Sequence, residues 1–302
     1  MTAHRPRGVF AGLATLDVIH RIDAPPGPNQ KITAHAQFVA AGGPAANAAV
    51  TFAALGGQAV LLTALGQGTI AETIAAELRE QDVEVIDLAP ALRDVAPVSS
   101  VTVLEATGER SVIGGDATSL HAPCPDPAQV RDLLTGADVV LLDGHHPELA
   151  RAVRDAAREA ALPTVLDAGR WKPIMDELVG AVTDVVASAD FRTPGAATAA
   201  ETATALQARG ATRVVTTAGP DPISWWDNGQ RGEIAVPPVR AVDTLGAGDV
   251  FHGAYAYSLA AGAGVEERIR YAAEAAAIRC AMVGPRSWVS AVGDIEPPAA
   301  AR

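Results

Sequence analysis

Short runs of consecutive apolar residues recur along this chain, separated by longer stretches with helical spacing. Val9–Leu13, Gln58–Thr63, Val139–Asp143, Thr164–Asp167, Val182–Ala187 and Val214–Thr217 are rich in Val, Leu and Ala. Such runs predict strands buried on both faces, as in a parallel sheet. Between and after them the spacing predicts helices over Ala45–Leu55, Ile70–Gln81, Pro147–Ala160, Ile174–Val179, Thr198–Arg209, Ala247–Ala261 and Val265–Val283. The last places Val265, Ile269, Ala272, Ala276 and Cys280 on one face. Strand–helix alternation of this kind implies an α/β fold, a Rossmann-like central, mostly parallel sheet flanked by helices.

A second pattern is superimposed. Val18–Ile22, Lys31–Val39, Val98–Glu105 and Arg110–Ile113 alternate with period two, and Thr107-Gly108 breaks the latter pair as a hairpin. These predict a small, mostly antiparallel β-sheet lid built from about 18–40 and 98–114. Ile223–Asp227 and Glu233–Val236 form another expected hairpin. No linker or repeat interrupts residues 1–302, so a single domain is expected, with a Pro/Ala tail, Pro297–Arg302, expected to fray.

Composition narrows the functional classes. Lys and Arg number 23 against 35 Asp and Glu, a net charge of −12. No basic block exists, which argues against nucleic-acid or membrane-surface partners. Cys124 and Cys280 are far apart, and a reduced, cytoplasmic setting is expected. The N-terminus shows no apolar signal segment, and no stretch approaches a membrane span.

The strongest chemical signal is Asp243-Thr244-Leu245-Gly246-Ala247-Gly248-Asp249-Val250-Phe251. It follows a β-like segment, Pro237–Val242, and opens a helical run. Free N–H groups and the helix dipole favour an anion there. Gly246 and Gly248 let backbone approach a phosphate without an intervening Cβ. Asp249 in the first helical turn can take a proton from a hydroxyl. An anion cradle beside a base is what phosphoryl transfer to an alcohol requires. Earlier, Ala41–Val50 reads AGGPAANAAV: Gly42 and Gly43 permit close approach to a small polar ligand, and Asn47 offers a donor and an acceptor to hydroxyls. Asp17, Asp143 and Asp167 each close an expected strand at its C-terminal end, the edge where open α/β sheets bind ligands.

These two signatures, in this order, resemble those of the ribokinase-like (PfkB) carbohydrate kinase family, nearest the subgroup with ketohexokinase and the sulfofructose kinases. Gly108–Ile113, Val165–Asp167 and Asp249–Ala254 fit that subgroup. The resemblance covers nearly the whole chain. It implies Asp249 as the general base, with Gly246, Ala247 and Gly248 as the anion hole. It implies sugar contacts from Asp17, Gly42, Gly43 and Asn47, and Lys31, Arg110 and His145 as further substrate contacts. Ser188, Thr217, Gly219 and Thr244, with Gly246 and Gly248, would face the nucleotide. ATP and Mg2+ are the implied cofactors, with a monovalent cation such as K+ near the anion hole, and a homodimer formed through the β-lid.

The chain departs from the family pattern in places. An Asn-x-x-Glu motif that organises metal and phosphates in many relatives reads Ser188-Ala189-Asp190-Phe191, without the Glu. The nucleotide loop reads Thr217-Ala218-Gly219-Pro220-Asp221-Pro222, with its second glycine lost. His145 and His146 stand where phosphate- or sulfonate-recognising relatives use Arg, and His is a poorer fixed cation at neutral pH. The expected activity is therefore ATP-dependent phosphorylation of a neutral, ketohexose- or ribose-like sugar. A phosphosugar or nucleoside kinase, and a non-catalytic sugar- or nucleotide-binding regulator, stand as alternatives. A nicotinamide oxidoreductase lacks the Gly-x-Gly-x-x-Gly turn after the first strand.

Overall fold

The computed structural model describes residues 5–115, 122–123 and 125–298. Cys124 and most of the tail expected to fray lie outside these residues. The strands are β1 (Arg7–Ala11), β2 (Thr15–Ile22), β3 (Ala36–Gly42), β4 (Gln58–Thr63), β5 (Val83–Asp87), β6 (Val98–Leu104) and β7 (Arg110–Gly114). They continue with β8 (Val139–Leu142), β9 (Thr164–Ala168), β10 (Asp184–Ala187), β11 (Arg213–Ala218), β12 (Asp221–Asp227) and β13 (Gln230–Ile234). The helices are α1 (Pro44–Ala54), α2 (Thr69–Glu80), α3 (Pro127–Leu134), α4 (Pro147–Glu159), α5 (Met175–Leu178), α6 (Ala199–Ala208), α7 (Ala247–Ala260), α8 (Val265–Cys280) and α9 (Val289–Gly293).

Nine strands form the large sheet in the order β13-β12-β11-β10-β9-β8-β1-β4-β5. From β5 to β11 every pairing is parallel, while β12 and β13 add an antiparallel edge. This is the expected ribokinase-like α/β architecture. Chain order reverses on either side of β1, the kind of switch point outside which α/β sheets open a ligand crevice. One layer of core lies under α1, α7 and α8, where Phe10, Phe52, Leu61 and Tyr255 are fully enclosed. The other lies under α3 to α6.

The small sheet runs β3-β2-β6-β7. Its β2–β6 pairing is parallel, and the two outer pairings are antiparallel. Ile19, Val101 and Val103 form its inner face, with Phe38 and Leu245 packed against them. Three sequence expectations need correction here. Lys31 lies outside β3, which starts five residues later at Ala36. Asp17 is not at the exit of β1 but inside β2, because the chain turns directly from the large sheet into the small one at Gly12–Ala14. Pro237–Val242 is not a strand; Val242 N donates to Cys280 O at the end of α8 instead.

Helices α1 and α7 cross in close contact. A Cβ built on Gly253 would lie 2.4 Å from Ala48 O and 2.7 Å from Thr51 Cβ. Only a glycine on α7 and small residues on α1 allow this crossing. Gly253→Ala gains up to ~1 kcal/mol of helix propensity but forces the helices apart, an overpacking cost of about 1–3 kcal/mol. A net loss of stability is expected by denaturant unfolding; a variant as stable as the parent would show that the helices part freely.

Candidate active site

Asn47 on α1 and Asp249 on α7 face each other across that crossing. Asn47 Nδ2 donates to Asp249 Oδ2 at 2.8 Å. Gly246, in the left-handed region at φ 73°, is the residue before α7, and no side chain caps the helix. The first amides of α7 have no intrahelical acceptor; Ala247 N donates to Thr244 O at a long 3.3 Å, and the helix's positive pole otherwise faces outward. A Cβ on Gly248 would meet nothing within 4 Å, so the approach to these amides is clear.

Asp249 is half-buried. Desolvation and, next, the charge of Asp167 push its carboxyl up to about 6, against the lowering influence of Asn47, His252 and Arg110. Asp167, next to last in β9, is almost fully buried, and His252 Nε2 stands 3.4 Å from its Oδ1 and 3.1 Å from Val186 O on β10. The other ring nitrogen lies 2.6 Å from Gly248 O. His252 thus ties the first turn of α7 to the carboxyl ends of β9 and β10.

Asp17, Asn47 and Gly246 line one tight cleft, with Ile19, Ala41, Leu245, Val250, Arg279, Pro285, Arg286 and Trp288. Asp17 Oδ1 accepts from Thr15 Oγ1 at 2.6 Å. Burial raises its proton affinity, with the Thr15 and Ser99 hydrogen bonds and the Arg286 charge working against that rise. Gly42 is required beside it, since a Cβ there would sit 2.0 Å from Asp17 Oδ2. Gly43 at φ 96° passes 2.5 Å from Leu13 O by the same measure and leads into α1.

The small sheet reaches the same loop. Gly108, in the β6–β7 turn, accepts from both Thr244 N and Thr244 Oγ1 at 2.9 Å. Arg110, exposed at the start of β7, acts electrostatically on both Asp249 and Cys280. Asp243 is a buried anchor for this loop. Its Oδ1 accepts from Leu245 N at 3.1 Å and lies 3.1 Å from an Arg279 nitrogen; its Oδ2 accepts from Gly284 N at 3.1 Å, with Arg21 4.0 Å away.

The other expected site residues lie elsewhere. Lys31 is exposed, and neither it nor His145 lines the cleft. His145 packs on Asp143, its Nδ1 3.2 Å from Oδ1. Although burial works against it, the His145 ring and Lys172 hold the Asp143 carboxyl well below the usual range. Asp143 accepts from Leu13 N, Ala45 N and His145 N, so it ties β1's exit and the start of α1 to the end of β8. Thr217, next to last in β11, donates to Ala187 O at 3.4 Å, and Gly219 shares a tight two-residue turn with Pro220 before β12. Ser188 follows β10 and donates to Gly169 O at 2.7 Å. These three lie at the carboxyl edge of neighbouring strands. Glu77, Arg279 and Arg286 were absent from the sequence-derived site. Gly284, at φ 100°, lies in the turn between α8 and Arg286.

A carboxylate of raised proton affinity at a helix N-terminus, with Asp17 and Asn47 in the adjoining cleft, is an arrangement suited to phosphoryl transfer to an alcohol. The chain belongs to the pfkB family of carbohydrate kinases, whose profile matches residues 8–291. Arabidopsis thaliana ribokinase is 26% identical over 290 residues, 91% of this chain and 76% of that protein. Mus musculus ketohexokinase is 25% identical over 291 residues, 90% and 95% of the two chains. Among solved structures, a putative ribokinase from Agrobacterium tumefaciens superposes with a TM-score of 0.84 at 28% identity, covering 95% of this chain and 94% of that one. Arabidopsis thaliana ribokinase complexed with ribose and ATP superposes with a TM-score of 0.78 at 23% identity, covering 97% and 100%.

Proposed function

We propose that this sugar kinase transfers the γ-phosphoryl group of ATP to a hydroxyl of a small, neutral, ketohexose- or ribose-like sugar, with Asp249 as general base. The observation that carries this reading is Asp249 itself, a carboxylate of raised proton affinity at the open N-terminus of α7. Asp17 and Asn47 bind sugar hydroxyls from the cleft side. Asp249 accepts the proton of the reacting hydroxyl as its oxygen bonds to the γ-phosphorus. The bond to the bridging oxygen breaks and ADP leaves with that electron pair. The amides of Gly246, Ala247 and Gly248 receive the charge on the moving group, and the Thr217–Gly219 and Ser188 edge holds the nucleotide.

Among the described residues no three His, Cys, Asp or Glu side chains gather to hold a metal. That suits Mg2+ brought with the nucleotide, because Mg2+ takes one or two carboxylates plus phosphates and waters. Arriving with the nucleotide, Mg2+ would neutralise phosphate charge. The Asp243 carboxylate beside the anion hole already carries two backbone amides and the Arg279 guanidinium, so its negative charge is met without a monovalent cation.

The cleft's cations are also committed. Arg279 serves Asp243, and Arg286 serves Glu77, Asn47 and the Ala41 carbonyl. Neither is spare for a phosphate ester, which supports a neutral substrate.

Asp249→Asn should lower kcat by about 10²–10⁴ with little change in nucleotide affinity. Only ionised Asp249 accepts a proton, so kcat/KM should rise with pH through about 6 and level above it; near-full turnover in the Asn variant would end the base assignment. In a panel of sugars and their phosphate esters, kcat/KM should favour the neutral sugar. A preference for the ester that disappears in Lys31→Ala or Arg110→Ala would reverse the charge assignment and leave the kinase intact. Replacing K+ by choline at constant ionic strength should leave kcat/KM unchanged, and a clear activation by K+ would show that Asp243 or a neighbour still takes a cation.

A further inference from the structure

Four polar side chains from four separate elements form a continuous chain behind the cleft. Arg286, in the loop after α8, donates from Nε to Glu77 Oε1 of α2 at 2.9 Å. One terminal nitrogen donates to Asn47 Oδ1 at 3.1 Å, and the other to Ala41 O at 2.6 Å. Glu77 in turn accepts from Ala41 N. Asn47 then donates from Nδ2 to Asp249 Oδ2 at 2.8 Å.

The chemistry fixes the direction of every link. A guanidinium only donates and an ionised carboxylate only accepts. The Asn47 amide must turn its oxygen to Arg286 and its NH2 to Asp249. Flipped, it would set donors against donors at one end and acceptors against acceptors at the other. Asn47 alone has no such preference, since a free side-chain amide rotates readily about a broad torsion. The planar fork of Arg286, held at Glu77 and at the Ala41 carbonyl, supplies it, and an ammonium could not hold all three acceptors in one plane.

We propose that Arg286 is a positioning residue, clamped by Glu77 and the Ala41 carbonyl so that it orients the Asn47 amide with its N–H groups toward Asp249. The proposal rests on the reading of Asp249 as base. The charged groups acting on Asp249 are Asp167 from β9, His252 from α7 and Arg110 from β7. Those acting on Arg286 are Glu77 from α2, Asp17 from β2 and Arg279 from α8. None of the Asp249 neighbours is touched by a change at residue 286, so a shift in the base's titration reports on Asn47.

The test is the pH profile of kcat/KM on the best sugar. Arg286→Lys keeps the charge felt by Asp17 and Glu77 but loses the fork; Arg286→Met loses both. Losing an N–H donor disfavours ionised Asp249, so the acid limb should move upward, by about one pH unit. Asn47→Ala should move it equally, and the Arg286→Lys/Asn47→Ala double variant no further. Should the Arg286 variants fail to fold, Glu77→Gln, which loosens the clamp and keeps its volume, should move the limb in the same direction. An acid limb unmoved in the folded Arg286 or Glu77 variants overturns the proposal, as does a shift that adds in full to that of Asn47→Ala. Asp249→Asn separates the two claims. If it stays active, the base assignment falls and the positioning role with it. If it is inactive while the Arg286 variants keep the wild-type limb, the positioning role alone falls.

Discussion

The close crossing of α1 and α7 is the constraint on which the site depends. Gly253 lies against Ala48 with no room for a methyl group, and Asn47 and Asp249 are the adjacent side chains on either helix. Their 2.8 Å contact is set by backbone packing, which resists displacement because a dense core is stiff. The Gly43–Pro44 start of α1 is held in turn by Asp143, which also takes the amide of Leu13 from β1's exit. The sheet's switch point, the helix and Asp249 are thus one rigid assembly.

Buried charge around this assembly is balanced locally. Asp243 takes Arg279, Asp143 takes His145 and Lys172, and Asp184 at the base of β10 takes both Arg213 and Arg268. Breaking such a pair strands an unpaired charge, while the pair as a whole adds little net stability. Their common effect is placement: each joins segments far apart in sequence. Asp249 and Asp167 differ in that they oppose each other, with His252 beside both, Arg110 acting on Asp249 and Lys172 interacting with Asp167.

Much of the fold was legible because parallel strands buried on both faces write long apolar runs, as in β8 and β9, which are buried throughout. β5 escaped notice because an edge strand with sequence VEVID is half polar. α3 is short and polar, and only its Asp126 cap, accepting from Ala128 N and Gln129 N, announces it. Asp249, Gly246 and Asn47 were legible because their chemistry depends on contiguous sequence: a glycine turn followed by a helix. Arg286, Glu77 and Arg279 were not, since they reach the cleft from three unconnected elements and carry no local pattern. His145 misled for the converse reason: its position in the sequence suggested a ligand contact, but the buried Asp143 beside it claims the ring.

The small sheet meets the Asp243–Gly248 loop through the Gly108 carbonyl on Thr244, Arg21 on the Val242 carbonyl and near Asp243, and Leu245 among Ile19, Val101 and Val103. Neither side of the cleft can be reshaped by surface changes alone. A methyl on Gly253 of α7 meets α1, and one on Gly42 of the sheet meets Asp17. Ile19, which borders the cleft from the sheet, is itself enclosed with Val101, Val103 and Leu245, so a new outline on that side means repacking a small core.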